Sequence, residues 1–399
     1  MTYIPTSNLN YGAQLDSGNR LRVSQLTCLL DIKQLNNDAP LFIDRENISG
    51  ATQTWSPSGT TVMSVTSSGD AAIAQTKMFA PYFSGKGQLI EITFDDYQNE
   101  SNVTKRVGYF SSDTTTPYDN HKDGIWFEAD GSDYRLIIQK SGDTILNVTQ
   151  SSWNLDTASW FDPSKFNVLV IQFLYLGGTA VKLGFFNDGD IRWVHKYVHA
   201  GISNGTFIIS PNQPVRYEIR SSGGTGSCEQ ICCQVASEGS IDRIGIQRSV
   251  NLNGAALDAN SVGTKYALLG IRLKPTHRNI RVEETEFNMI ALTNDDFLWE
   301  IHLNPTVAGT FTYADVDETS SFQAASGDTV SNPSTNTVTN GILLYSGLGQ
   351  GGSISTPYLN SAIRVGSTID GTMDEIVLSV SPLSVNLDIT ATLNLREFL

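Results

Sequence analysis

The run Val385-Asn-Leu-Asp-Ile-Thr-Ala-Thr-Leu-Asn-Leu-Arg396 alternates strictly between apolar and polar residues. Val385, Leu387, Ile389, Ala391, Leu393 and Leu395 form one set. Asn386, Asp388, Thr390, Thr392, Asn394 and Arg396 form the other. Only an extended chain separates those sets, because successive side chains of a strand point to opposite faces. The same period recurs upstream at Gln88–Phe94, Tyr134–Gln139, Val215–Ile219, Tyr266–Leu273 and Phe297–Leu303. Val168–Leu176 is apolar on both faces, which suits a central strand covered on both sides. No segment sustains an apolar stripe of period 3.6. Around Asn187-Asp-Gly-Asp190, two alternating segments, Val181–Phe185 and Ile191–His195, flank residues that accept positive φ. That is a hairpin signature, with Val181, Leu183 and Phe185 on one side. The expectation is an all-β protein of antiparallel β-sandwich or jelly-roll units with little helix.

A chain of 399 residues with this pattern is too long for one small core. Residues 1–35 hold few apolar positions, among them Leu15, Leu21, Val23, Leu26, Leu29 and Leu30. They read as an N-terminal arm, with Leu15, Leu21, Val23 and Leu26 as its candidate interaction residues. The competing reading is an edge strand on its own domain. Residues 36–250 form a first, jelly-roll-like sandwich. The polar, small-residue stretch 251–263 reads as a linker, and 264–399 as a second β-sandwich. Within the latter, Ser320–Asn340 is rich in Ser, Thr and Asn and is expected to be an exposed loop.

Composition narrows function. Acidic residues outnumber basic ones 41 to 26, a formal net charge of −15. Such a chain is poorly suited to wrapping phosphate backbones, so direct nucleic-acid contact is not expected. The longest apolar run is about half of a membrane span, and no insertion is expected. The N-terminus lacks a basic and an apolar signal region, which implies cytoplasmic synthesis. The cysteines are Cys28, Cys228, Cys232 and Cys233, too few for a disulfide scaffold.

Glu91 and Asp95 lie on one face of a strand, with Thr93 between them. At four residues' separation they stand about 13 Å apart, whereas retaining glycosidases place their carboxyls about 5–5.5 Å apart. His195 and His199 have the spacing that holds zinc on a helix, but they follow a hairpin strand, which separates the imidazoles. Cys228-Glu-Gln-Ile-Cys232-Cys233 is a single knuckle without a partner. Its thiols read as small strand hydrophobes, with a local Cys228–Cys232 bridge as the alternative. Asp188 and Asp190 could hold calcium, although such turns commonly only turn. The six tryptophans, Trp55, Trp126, Trp153, Trp160, Trp193 and Trp299, could be core residues or sugar platforms. No phosphate-cradling glycine loop is present. No catalytic residue, cofactor or metal ligand is therefore expected.

Several segments together carry a resemblance: Ser84–Phe94, Arg106–Phe110, Asp123–Gly131, Gln150–Asp156, Asn212–Ile219, Gly245–Val250 and Phe297–Phe311. In order from about Arg20 to the C-terminus, they resemble a family of β-rich virion structural proteins of tailed double-stranded DNA bacteriophages. Separately, Phe166–Leu176 and Val181–Val194 are similar to strands of concanavalin-like and laminin-G-like jelly rolls, a likeness of fold only. The first resemblance implies a non-enzymatic virion component of the capsid exterior, neck or tail. It would contact other phage virion proteins and form a homo-oligomer, a trimer by analogy with fibres and spikes. The alternative is a receptor-binding or carbohydrate-binding tail fibre or spike that meets host surface glycan. A glycan depolymerase is the remote third reading.

Overall fold

The computed structural model describes residues 25–240, 245–351, 354–355, 365–384 and 387–398. The chain divides into two compact units, Met1–Asp242 and Arg243–Leu399. Among the described residues the only helical turns are Gln150–Ser152 and Pro275–His277, each a single 3₁₀ turn. The fold is all-β, as the alternation requires.

The first unit is a sandwich of two antiparallel sheets. One runs in the spatial order Asp190–Val198, Ala180–Asn187, Asn167–Leu174, Gln88–Asp95, Gly226–Glu238, Thr60–Val65 and Thr52–Ser56. Leu26–Ile32 also pairs with Gly226–Glu238, which makes this sheet eight-stranded. The other sheet has seven strands, ordered Asp143–Thr149, Tyr134–Lys140, His121–Ala129, Val103–Ser112, Val215–Ser221, Ala71–Thr76 and Ile43–Ile48. Alternate residues of both sheets meet in one core that includes Ile90, Ile92, Phe94, Val107, Phe127, Leu183, Phe185 and Tyr217. Aromatic rings fill its centre: Phe185 lies edge-on to Phe127 at 5.3 Å between centroids and against Phe161 at 4.7 Å. The hairpin forms with Asn187 opposite Asp190. Its two loop residues, Asp188 and Gly189, take φ of 54° and 84°, which only a turn-tolerant pair adopts without strain. Val181, Leu183 and Phe185 are fully buried on one face.

The N-terminal arm is corrected in part. Leu26–Ile32 is a strand of the sandwich, with Leu29, Leu30 and Ile32 buried. A bulge between Cys28 and Leu30 turns Leu29 and Leu30 inward together, which a strict period of two hides. The edge-strand reading holds for these residues. Leu26 is 41% exposed at the start of the strand, while Leu15, Leu21 and Val23 lie outside the described residues.

The second unit is built around the run that opened the sequence analysis. Leu387–Phe398 buries Leu387, Ile389, Ala391, Leu393 and Leu395 and leaves the alternate polar residues part-exposed. It pairs with Arg281–Ala291 on one side and with Ile246–Asn251 and Leu257–Ala259 on the other. The expected linker at 251–263 is therefore replaced by part of the second sandwich. Val250, Leu252, Leu257 and Ala259 enter its core, and only the polar residues between them turn. Facing this sheet is one of six strands, in the order Ala314–Asp315, Phe322–Ser326, Tyr266–Leu273, Ile376–Pro382, Phe297–Leu303 and Ile342–Gly349. The stretch 320–340 also departs from expectation. Phe322–Ser326 is a strand, and Ser320, Ser321, Ser334 and Asn336 are buried. Ser320, Ser334 and Asn336 are stable there because they make hydrogen bonds that replace those to water, whereas Ser321 Oγ has no partner among the described residues. Asn336, for example, donates to the carbonyls of Ala308 and Thr310.

Candidate functional site

The residues singled out by spacing do not converge. Glu91 and Asp95 lie on the face of Gln88–Asp95 opposite the core-facing Ile90, Ile92 and Phe94, and Asp95 accepts the backbone N–H of Asp96 at 2.7 Å. His195 is buried in the hairpin strand, and burial lowers its pKa. His199, past the end of that strand, has both ring nitrogens engaged, Nδ1 with the Tyr197 hydroxyl at 2.8 Å and Nε2 with the Gly205 carbonyl at 2.8 Å. None of the four cysteines is in a disulfide, so the Cys228–Cys232 bridge does not form. Cys228 and Cys233 are buried, and burial raises the Cys228 thiol to about 12. Asp188 sits on the exposed turn, 3.8 Å from Arg192. Trp153 and Trp299 belong to the two cores.

A cluster that spacing did not reveal covers the outer face of the seven-stranded sheet. In Val215–Ser221, Tyr217 and Ile219 point to the core, so Arg216, Glu218 and Arg220 point outward. Sheet register sets Glu218 opposite Arg106, and Arg106 opposite Glu128. Glu218 is completely buried and accepts from Arg106 Nη1 at 2.8 Å, Arg216 Nη2 at 2.6 Å and Arg220 Nε at 2.5 Å. His121 Nε2 adds a contact at 3.2 Å. Burial by itself would raise the Glu218 carboxyl, but His121, Arg216 and Arg220 outweigh it and hold the group well below the usual range. Burial lowers the pKa of His121, against the pull of Glu218. Arg216 also donates to Ser112 Oγ at 2.8 Å and to the Tyr118 carbonyl at 2.8 Å. The guanidinium lies 5.6 Å from the Phe110 ring centroid, and Phe110 stacks on Trp126 at 4.9 Å. A carboxylate so fully engaged cannot serve as a proton donor near neutral pH. It ties three strands to the 113–120 loop. Sequence did carry one signal for it: charges of opposite sign at 216, 218 and 220, on a strand whose other face is apolar.

The second unit holds an open cleft of about 370 Å³. Its floor is the outer face of Tyr266–Leu273, where Gly270 and Arg272 point away from the core, and its wall is the segment that carries Phe311 and Tyr313. A Cβ at Gly270 would lie 2.7 Å from the Phe311 ring and 2.7 Å from the Tyr313 hydroxyl, so any larger residue there would push both rings away. Arg272 packs against the Tyr313 ring at 4.4 Å, and Phe311 meets Tyr313 edge-on at 5.7 Å. Arg272 Nη1 donates to Glu375 Oε1 at 3.0 Å and Nε to Gln323 Oε1 at 3.0 Å. Gln323 in turn donates to Asp315, which pairs with Lys274 at 3.2 Å. Burial, then the Glu375 charge, raises the pKa of Tyr313 and keeps it a neutral phenol. Arg272 and Glu375 keep 32% and 28% of their side chains exposed, which leaves both within reach of a ligand.

No family model matches the chain, and no curated protein matches it. Solved structures that are similar to it include a β-glucanase of Bacillus licheniformis, at 12% identity over 53% of this chain and 98% of that one, with a TM-score of 0.33. A conserved carbohydrate esterase of the Shiga toxin-encoding bacteriophage phi24B is similar at 10% identity over 54% of this chain and all of its own (100%), with a TM-score of 0.34. A legume lectin-like domain from Entamoeba histolytica is similar at 10% identity over 55% and 100% of the two chains, also with a TM-score of 0.34.

Proposed function

We propose that this chain is a non-enzymatic structural component of a tailed-phage virion that works through its surfaces. The ordered resemblance from about Arg20 to the C-terminus is what first suggests it. The observation that carries it is the use made of buried charge: Glu218 is occupied by His121, Arg106, Arg216 and Arg220, which stiffens a sheet. Rigid sandwiches that present broad outer faces suit assembly from repeated copies, and closed symmetry makes a homo-oligomer, a trimer as first choice, the natural form. A cryo-EM map of the intact particle tests this. Density for paired β-sandwiches is expected at symmetry-related positions on the capsid exterior, neck or tail. Purified particles in which mass spectrometry finds no peptide of this chain would overturn the reading.

A second reading, a receptor- or carbohydrate-binding tail component, is favoured by the cleft at Arg272, Tyr313 and Glu375, where aromatic rings adjoin a polar ion pair. Competition by the soluble protein against phage adsorption separates the two. Blocked adsorption is expected of a receptor binder, and unimpaired adsorption of an assembly component.

A further inference from the structure

We propose that the cleft of the second unit binds a neutral saccharide through a vicinal pair of hydroxyls. This inference deepens the carbohydrate-binding reading above and rests on it. Three observations carry it. The first is a matched donor and acceptor. Arg272 uses Nη1 and Nε on Glu375 and Gln323, and Nη2 makes no hydrogen bond among the described residues. Glu375 receives Arg272 on Oε1 and adjoins the Tyr313 hydroxyl, and its carboxylate has lone pairs left for a further donor at Oε2. Two adjacent ligand hydroxyls can fill both positions, one accepting from Nη2 and the other donating to Oε2. The second is apolar surface beside that pair. Phe311 and Tyr313 line the same cleft, and aromatic rings pack well on the C–H faces of a pyranose. The third is charge. Arg272 and Lys274 are matched by Glu375 and Asp315, so the cleft carries no net charge with which to attract an ion. An acidic sugar on Nη2 would set its carboxylate against that of Glu375, whereas a neutral one meets no such repulsion and leaves the ion pair intact. A cleft of about 370 Å³ is at the small end of ligand sites, which fits one or two sugar rings.

The experiment is saturation-transfer NMR on the full chain with methyl glycosides of glucose, galactose and mannose, N-acetylglucosamine and N-acetylneuraminic acid. Transfer to ring protons of at least one neutral sugar is expected. Arg272→Ala and Tyr313→Ala are each expected to weaken binding by about ten-fold or more. Should Tyr313→Ala fail to fold, Glu375→Gln replaces it, since that change removes the acceptor charge and keeps the shape. No transfer from any neutral sugar would overturn the proposal, as would a preference for N-acetylneuraminic acid. Binding that survives all three substitutions unchanged would overturn this site while leaving the carbohydrate-binding reading intact. Binding that the substitutions abolish supports the site, even where the soluble protein fails to block adsorption and the tail-receptor role falls.

Discussion

Two buried carboxylates, Glu218 and Glu284, have opposite character. Glu218 is ionised and saturated with partners, so removing its charge leaves Arg106, Arg216 and Arg220 crowded on one face. Glu218→Gln is expected to cost about 3–5 kcal/mol, the range for breaking a buried ion pair. Chemical denaturation measures this, and a loss below about 1 kcal/mol would contradict the role assigned to the hub. Glu284 is the reverse case. It is buried, neither carboxyl oxygen has a hydrogen-bond partner among the described residues, and burial pushes its pKa up to about 8. Between about pH 4.5 and 8 the folded chain holds a proton that the unfolded chain releases, so stability falls as pH rises across that window and then levels. Glu284→Gln is expected to flatten this slope and to stabilise the protein at pH 8 by a few kcal/mol. Denaturation midpoints at pH 5 and pH 8 check it, and an unchanged slope would refute it. The alternating charges at 216, 218 and 220 mark Glu218 as outward-facing but not as a hub, and nothing in the sequence marks Glu284. A strand position shows which side a charge faces, but not what fills the far side of a core or which strand lies alongside.

At the scale of elements, alternation and turn chemistry were enough wherever they were undisturbed. Leu387–Phe398, Tyr266–Leu273, Phe297–Leu303 and the hairpin at Asp188-Gly189 were all legible, because a period of two has one physical reading. Bulges and composition hid the rest. Leu26–Ile32 passed for an arm since its bulge places two leucines inward in succession. The segment 251–263 passed for a linker because a three-residue strand, Leu257–Ala259, is too short to show a period. The edge strand has a direct test. Leu30→Ala removes a core side chain and is expected to cost about 2–5 kcal/mol. Leu26→Ala, at an exposed position, should stay within about 0.5 kcal/mol of the parent. Equal effects, read from urea midpoints, would argue against the strand. The cleft was illegible for a different reason. It arises where a coil segment bearing Phe311 and Tyr313 crosses a sheet face at Gly270, and neither partner carries a motif.

Among the described residues each unit has its own main core, one in Met1–Asp242 and one in Arg243–Leu399. Each has its own sheets, with Glu218 buried in the first unit and Glu284 in the second, so two calorimetric transitions are expected. Glu218→Gln should lower one of them, and at pH 8 Glu284→Gln should raise the other. A single transition shifted by both substitutions would show that the cores melt as one. The sequence reads as two sandwiches divided at 251–263, whereas the chain divides between Asp242 and Arg243. The two differ because the second unit begins with strands that look like a connector.

The distribution of sulfur has a practical consequence. All four cysteines belong to the first unit, where Cys28 is exposed, Cys232 half-buried, and Cys228 and Cys233 enclosed. A maleimide dye should therefore label the native protein quickly at Cys28, slowly at Cys232, and at the remaining two only when the first sandwich opens. The second sandwich is invisible to the reagent, so the late labelling phase is a stopwatch for one half of the chain. Trp299 is the sole tryptophan of the other half, so in a variant whose five other tryptophans are replaced by Phe its fluorescence would time the second sandwich alongside the labelling of the first.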